Sequence, residues 1–292
     1  MWHIGVIGIG VLGNAICETF TKHRLKDDIV IKQFDKYKAI GKLEDVLECS
    51  FIFLCLPTLF NKDLKSYDIS EINNVCCELV KCNYMGIVVV KSTVEPGTCE
   101  MLNSKYKELQ MIHNPEFLTA RTAVDDFANQ KHIILGMTSQ TNVTSILEIV
   151  KFYKVMFNAV LKEEEDKIIG DNNNDIDDKD KNVISICSSV ESEMVKIACN
   201  SFYATKIQFF TEMKLLCDKI GVTYDSMKGK MLMNGWINPM HTDVPGHDGK
   251  LSFGGACFPK DIKALCAFME KMDVSNDVVA SVVSENIKMR EC

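Results

Sequence analysis

The sequence predicts an α/β fold: a doubly wound parallel sheet followed by a small all-helical domain. Three observations predict it. Short apolar runs alternate with helical stretches over residues 1–188. A glycine-rich turn separates the first apolar run from the first helical stretch. Beyond residue 188 the strand pattern gives way to helical periodicity. Strands that are apolar on both sides, each followed by a helix, indicate a parallel sheet covered on both faces. The 292 residues suit two ordinary domains. At 47% hydrophobic and 25% charged residues, the chain is globular in composition, which excludes collagen-like, fully disordered and small disulfide-framework classes.

The elements follow in order. His3–Ile9 reads as a buried strand, and a helix is expected from Asn14 to about His23. Ile29–Phe34 is the second strand and ends at Asp35. Phe51–Leu56 is the third, stopped by Pro57. Residues 69–82 read as a helix, Ile87–Val90 as the fourth strand and Ile133–Leu135 as another. Residues 162–182 break the pattern, with nine acids against four lysines and no apolar face to bury, so a disordered acidic surface insertion is expected there. Val183–Ile186 resumes as a strand. Ser188 and Glu191 have capping-box spacing and open a long helix that stops at Gly221. Helices over about 224–233, 260–272 and 276–290 complete the chain, with a Gly/Pro/His-bearing loop at 235–256. The expected domains are 1–188, nucleotide-binding, and 189–292, helical.

Charge and cysteine usage narrow the function. The net charge is −7, and the acidic stretch carries most of it. No global basic field suits nucleic acid, and no Lys/Arg cluster suits an anionic membrane surface. Thirteen scattered cysteines without a CxxC spacing point to reduced thiols and to no metal site. The longest apolar stretch, Phe51–Phe60, is too short to span a bilayer and contains Pro57. A cytoplasmic protein is expected.

Five segments carry chemistry. Gly8-Ile9-Gly10-Val11-Leu12-Gly13 follows a strand and opens a helix, the placement of a dinucleotide-binding turn in a Rossmann-like unit. Asp35, at the end of the second strand, is placed to accept from a ribose 2′-hydroxyl and to repel a 2′-phosphate. NAD is therefore the expected cofactor. Lys91–Thr98 leaves the carboxyl end of the fourth strand, so Thr93 should face substrate or nicotinamide. Glu116 follows Pro115 after a short apolar strand, where a solvated loop carboxylate is the plain alternative. Lys196 and Asn200 share one helix face, which suits either a structural ion pair or an oxyanion clamp. In Phe253-Gly254-Gly255-Ala256-Cys257-Phe258-Pro259-Lys260-Asp261, Pro259 starts a helix. Cys257 would lie at that helix N-terminus beside Lys260, both of which favour a thiolate, with Asp261 one turn on.

With these segments in order, the chain resembles the nucleotide-sugar dehydrogenases of the UDP-glucose/GDP-mannose dehydrogenase family. The resemblance covers essentially the whole chain and is most specific over Lys91–Thr98, Asn114–Leu118, Glu191–Ile207 and Val244–Asp261. It implies oxidation of a sugar C6 hydroxyl to a carboxylate with two NAD in succession, UDP-glucose to UDP-glucuronate being the form its loop 244–250 suggests. It implies that Cys257 is the nucleophile and that Lys196 and Asn200 stabilise the C6 oxyanion. Asp261 would manage protons, Thr93 orient water and Glu116 assist thioester hydrolysis. Gly8, Gly10, Val11, Leu12, Gly13, Asp35, Thr93 and Lys260 would hold the cofactor. A homodimer through helix 189–220 is implied as well. Three features depart from the family pattern: Thr119-Ala120-Arg121 lacks a second carboxylate, Trp236-Ile237-Asn238 stands for an Arg-Ile-Gly, and the chain stops before a third, uridine-binding domain. Two other readings fit part of the pattern. One is a non-catalytic NAD-binding homologue or partner of a full-length dehydrogenase. The other is a two-electron β-hydroxyacid-type dehydrogenase, which needs no cysteine.

Overall fold

The computed structural model describes residues 1–162 and 182–290. The acidic stretch, apart from its end residues Lys162 and Asn182, lies outside the described residues. The chain forms two compact units. The first comprises Met1–Thr58 and Asp68–Lys196, the second Leu59–Tyr67 and Ile197–Cys292.

In the first unit the elements are β1 (Trp2–Ile7), α1 (Val11–Lys22), β2 (Ile29–Phe34), α2 (Leu43–Val46) and β3 (Phe51–Leu54). After a short hairpin of the second unit come α3 (Ser70–Lys81), β6 (Ile87–Val90), α4 (Thr98–Lys105), β7 (Gln110–His113) and α5 (Ala123–Ala128). Then follow β8 (His132–Met137), α6 (Val143–Phe157), β9 (Ala159–Leu161) and β10 (Asn182–Ser188). The sheet order is β2-β1-β3-β6-β7-β8-β10-β9. The central strands β3 and β6 are apolar throughout because both their faces are covered. On β3, Phe51 and Phe53 pack with Ile4, Phe20, Phe152 and Tyr153 on one side. Ile52 and Leu54 pack with Ile72, Leu79, Val88 and Leu102 on the other.

The expected fold class stands, with two differences of detail. Among the described residues, β7 and β8 form the one antiparallel neighbour pair of this sheet. Parallel neighbours need a crossover, usually helical, of about a dozen residues or more. Residues 114–131 contain only the six-residue α5, and the chain returns alongside β7 instead. The second difference is in the helical unit, which contains strands: β4 (Phe60–Asn61) pairs with β5 (Ser66–Tyr67) antiparallel. The Asn61 side chain turns this hairpin by accepting from the N–H groups of Asp63 and Leu64.

The rest of the second unit is helical. α7 (Ser189–Ile220) begins in the first unit and runs into the second; α8 (Tyr224–Leu232), α9 (Phe258–Lys271) and α10 (Asp277–Arg290) follow. At the start of α7, the Ser188 hydroxyl accepts from the Glu191 N–H, as the cap spacing predicts. Pro259 sits in the first turn of α9, where its missing N–H leaves no bond unmade.

Candidate functional site

The nucleotide turn is built by steric exclusion. Gly8 has φ +91°, and a Cβ there would stand 2.5 Å from the Cys55 carbonyl. A Cβ on Gly13 would stand 2.0 Å from the Gly8 carbonyl, so α1 can approach the turn only through glycine. At Gly10, the residue capping α1, a Cβ would meet nothing within 4 Å. The helix N-terminus thus faces open space that a side chain would fill, which fits a diphosphate at the positive end of the helix dipole. Val11 is exposed and Leu12 half-buried beside it.

Asp35 follows β2 directly. Its Oδ2 accepts from Ile9 N–H at 2.8 Å, and its Oδ1 accepts from Tyr37 and Lys38 N–H at 3.0 and 2.9 Å. Desolvation pushes this carboxyl up, but the N–H groups of Lys38, Ile9 and Tyr37 and the Lys38 charge outweigh it and hold it below its usual value. An ionised carboxylate pinned at the turn has lone pairs left for ribose hydroxyls and repels a 2′-phosphate. The residues present therefore fit NAD.

Beyond the carboxyl ends of β6 and β7 lies a polar cluster. Lys91 is buried, and its ammonium donates to Asn114 Oδ1 at 2.9 Å. The Tyr153 hydroxyl donates to the same oxygen, while Asn114 Nδ2 donates to the Ile134 carbonyl at 2.7 Å. Burial pushes the Lys91 ammonium down to about 8, with Cys55 and Glu116 acting against it and Lys196 with it. Thr93 is buried, and its carbonyl accepts from the Thr58 hydroxyl at 2.6 Å. Glu116 Oε2 accepts from Leu118 N–H, and its Oε1 lies 3.3 Å from the Lys196 ammonium. That ammonium also stands 5.2 Å from the Phe117 ring centroid. The helix lysine that shares a face with Asn200 thus has the candidate loop carboxylate as its ion-pair partner.

In the second unit Asp261 is fully buried in the first turn of α9. Asn200 Nδ2 donates to its Oδ2 at 2.6 Å. Lys260 Nζ and the Tyr67 hydroxyl both donate to its Oδ1 at 2.5 Å. Lys260, expected near thiol and cofactor, sets its ammonium on this carboxylate and 4.7 Å from the Tyr67 ring centroid. Cys257 is exposed and caps α9; its carbonyl accepts from the Asp261 N–H. The loop before it is tied down at Ser252. The Ser252 hydroxyl donates to Gln208 Oε1, Asn286 Nδ2 donates to the Ser252 hydroxyl and the Phe253 carbonyl, and Arg290 donates to the Ser252 carbonyl. An exposed thiol at a helix N-terminus, with a buried carboxylate one turn on, has the placement that acyl chemistry would need.

Sequence reasoning named no role for Lys91 or Tyr67. A lysine directly after four apolar strand residues, at the ligand-binding edge of a parallel sheet, was a usable signal for the first. Tyr67 carries none, because its partner lies 194 positions away.

These features define a dinucleotide-binding α/β unit joined to a helical unit that presents a thiol. Residues 28–156 match the NAD binding domain of the UDP-glucose/GDP-mannose dehydrogenase family, and residues 190–288 match its central domain. The chain belongs to the UDP-glucose/GDP-mannose dehydrogenase family. It is 30% identical over 246 residues to the UDP-glucose 6-dehydrogenase of Rickettsia typhi, covering 82% of this chain and 49% of that one. To the UDP-glucose 6-dehydrogenase of Rickettsia prowazekii it is 28% identical, over 92% of this chain and 55% of that one. The chain thus spans about half the length of the curated relatives it matches. Among solved structures, a UDP-glucose dehydrogenase from Pyrobaculum islandicum superposes with a TM-score of 0.79 at 21% identity, covering 98% of this chain and 68% of that one. A 3-hydroxyisobutyrate dehydrogenase from Mycobacterium tuberculosis superposes with a TM-score of 0.66 at 14% identity, covering 99% of this chain and 93% of that one. At these identities both show the fold alone.

Proposed function

We propose that the chain oxidises a nucleotide sugar, UDP-glucose to UDP-glucuronate, through a covalent adduct on Cys257. The observation that carries the reading is the exposed Cys257 capping α9, one turn from the buried, triply held Asp261. NAD would supply the hydride acceptor in each of two oxidations. Gly8, Gly10 and Gly13 leave room for its diphosphate, Val11 and Leu12 bring the amides of the first helical turn, and Asp35 takes the ribose hydroxyls.

Each remaining residue has a stated task. In the first oxidation C6 would lose a hydride to NAD and its hydroxyl a proton to Asp261 through water, leaving an aldehyde, and Lys196 and Asn200 donate to the C6 oxygen as negative charge develops on it. The Cys257 sulfur adds to the aldehyde carbon, forming a C–S bond, and the carbonyl oxygen takes a proton to give a thiohemiacetal. Loss of the second hydride from C6 and of the hydroxyl proton leaves a thioester. Water adds to it, held by Thr93, with Glu116 and Asp261 accepting protons. The C–S bond breaks, releasing the carboxylate and restoring the thiol.

Two further expectations belong to this reading. None of the twelve described cysteines is in a disulfide, which fits a reducing, cytoplasmic compartment. Among the described residues no helix is long and apolar enough to cross a membrane. On α7, Phe202, Phe209 and Leu216 recur every seven residues and are exposed, with Ile220 beside them, an apolar seam suited to a second copy of the chain. Phe209→Glu should leave a monomer by light scattering.

The stoichiometry of turnover tests the reaction. Each UDP-glucose consumed should yield two NADH and one carboxylate. Cys257→Ala should abolish acid formation, and Lys196→Ala should slow turnover about 10²–10³-fold. One NADH per sugar, or acid formed by Cys257→Ala at the parent rate, would replace this reading with two-electron chemistry. NAD binding without turnover on any nucleotide sugar would favour a non-catalytic homologue.

A further inference from the structure

We infer that Tyr67 is a positioning residue for Asp261: the β4–β5 hairpin carries its phenol to the carboxylate that manages protons in the proposed reaction. The inference rests on that reading for the role of Asp261. The contact itself stands on geometry. Tyr67 is 4% exposed, and its hydroxyl donates to Asp261 Oδ1 at 2.5 Å. Asp261 is wholly buried, so the direction of each lone pair is set by protein donors rather than by water. Lys260 shares Oδ1 with Tyr67, and Asn200 holds Oδ2. These three are the charged, titratable or polar side chains bonded to the carboxylate within the unit, one each from α9, the hairpin and α7.

The hairpin is short. Its strands are two residues each, and a hairpin of that size is not stable alone in water. It also meets α9 through the Lys260 ammonium over the Tyr67 ring and through the exposed Lys65–Glu270 pair at 3.1 Å, a class of contact that contributes about 0–1 kcal/mol. A buried phenol needs some acceptor, and any backbone carbonyl would serve. This one ends on a carboxylate to which the proposed chemistry assigns protons. An O–H donor stabilises the charged form of a carboxylate and fixes the oxygen it binds. Without it, Oδ1 keeps only the flexible Lys260 ammonium, and the carboxylate can turn.

The test uses the full chain and the variant Tyr67→Phe, which removes one oxygen and keeps the ring under Lys260. Carbon-detected NMR at neutral pH follows the Asp261 carboxyl carbon, the resonance being assigned by its loss in Asp261→Asn. That resonance should move in Tyr67→Phe, and kcat with UDP-glucose and NAD should fall about tenfold while KM changes less than twofold. An unmoved resonance overturns the inference, as does a moved resonance with an unchanged kcat. If the parent chain has no turnover, the proposed function falls separately, and the NMR shift still decides whether Tyr67 holds Asp261. Should Tyr67→Phe fail to fold, 3-fluorotyrosine at position 67 keeps the shape and strengthens the donor. The resonance should then move the opposite way, and no change overturns the inference.

Discussion

Asp35 and Asp261 are both carboxylates that three donors hold at a candidate site, yet they are held in different ways. Asp35 is bound by three backbone N–H groups, two of them within three positions of it and the third in the glycine turn. Asp261 is bound by three side chains, from the neighbouring residue, from 61 positions away and from 194 positions away. Backbone donors come with the strand–turn–helix itself, and no substitution of Ile9, Tyr37 or Lys38 other than proline removes them. Side-chain donors each depend on one codon. The first carboxylate should therefore tolerate change around it, and the second should not.

The largest effect expected from breaking this contrast is at Asp261. Asp261→Ala leaves the Lys260 ammonium and the Asn200 amide without their acceptor, and unfolding in urea should show a loss of about 3–5 kcal/mol. An Asp261→Ala chain as stable as the parent would mean that the cluster relaxes to water at no penalty. Next comes Gly13→Ala, where the added Cβ would lie 2.0 Å from the Gly8 carbonyl. Backbone must move to relieve that contact, so stability should fall by about 1–3 kcal/mol and NAD affinity with it, as calorimetry would read.

Asp35→Asn should act more gently, because the amide oxygen can still accept from part of the turn. Its clearest effect should be on cofactor choice, the preference for NAD over NADP narrowing by about tenfold in direct titrations. Stability should show the ionised carboxylate by its pH dependence. The folded carboxyl lies below its ordinary value of 3.8, so its contribution is present above that pH and lost as pH falls through the folded value. The difference between parent and Asp35→Asn should accordingly shrink on acidification below pH 3.8. The smallest effect belongs to Lys65→Ala: its exposed pair with Glu270 should contribute under about 1 kcal/mol. If that variant melts far below the parent, the hairpin is held by its tip and not by Tyr67.

The same contrast governs what could be read from sequence. Local devices were legible. Glycines spaced around a strand–helix turn, Ser188 three positions before Glu191 and a proline just inside α9 each describe a backbone event complete within a few residues. The strand at 87–90 stood out because both its faces are buried and its apolar run is unbroken. The antiparallel β7–β8 pair was not legible, since side chains alternate across a strand in the same way whichever direction its neighbour runs. The hairpin was not legible because two-residue strands have no periodicity to detect. The chemistry divides along the same line: the thiol and its carboxylate lie within one short motif, whereas the phenol that binds that carboxylate is in a polar run with no mark of its purpose.

The hairpin also has a consequence for synthesis. The main chain passes from one unit to the other three times, at 58–59, 67–68 and 196–197, so neither unit is a continuous stretch of message. Tyr67 leaves the ribosome long before Asp261 is translated, and the early excursion must wait for most of the chain to emerge before α9 can receive it. The nascent N-terminal unit can pack its sheet during this interval, but the second unit cannot be finished by residues 197–292 alone. A fragment expressed from residue 197 onward would contain the thiol, the helices and the buried acid, and would still lack one of the three donors that acid is built around.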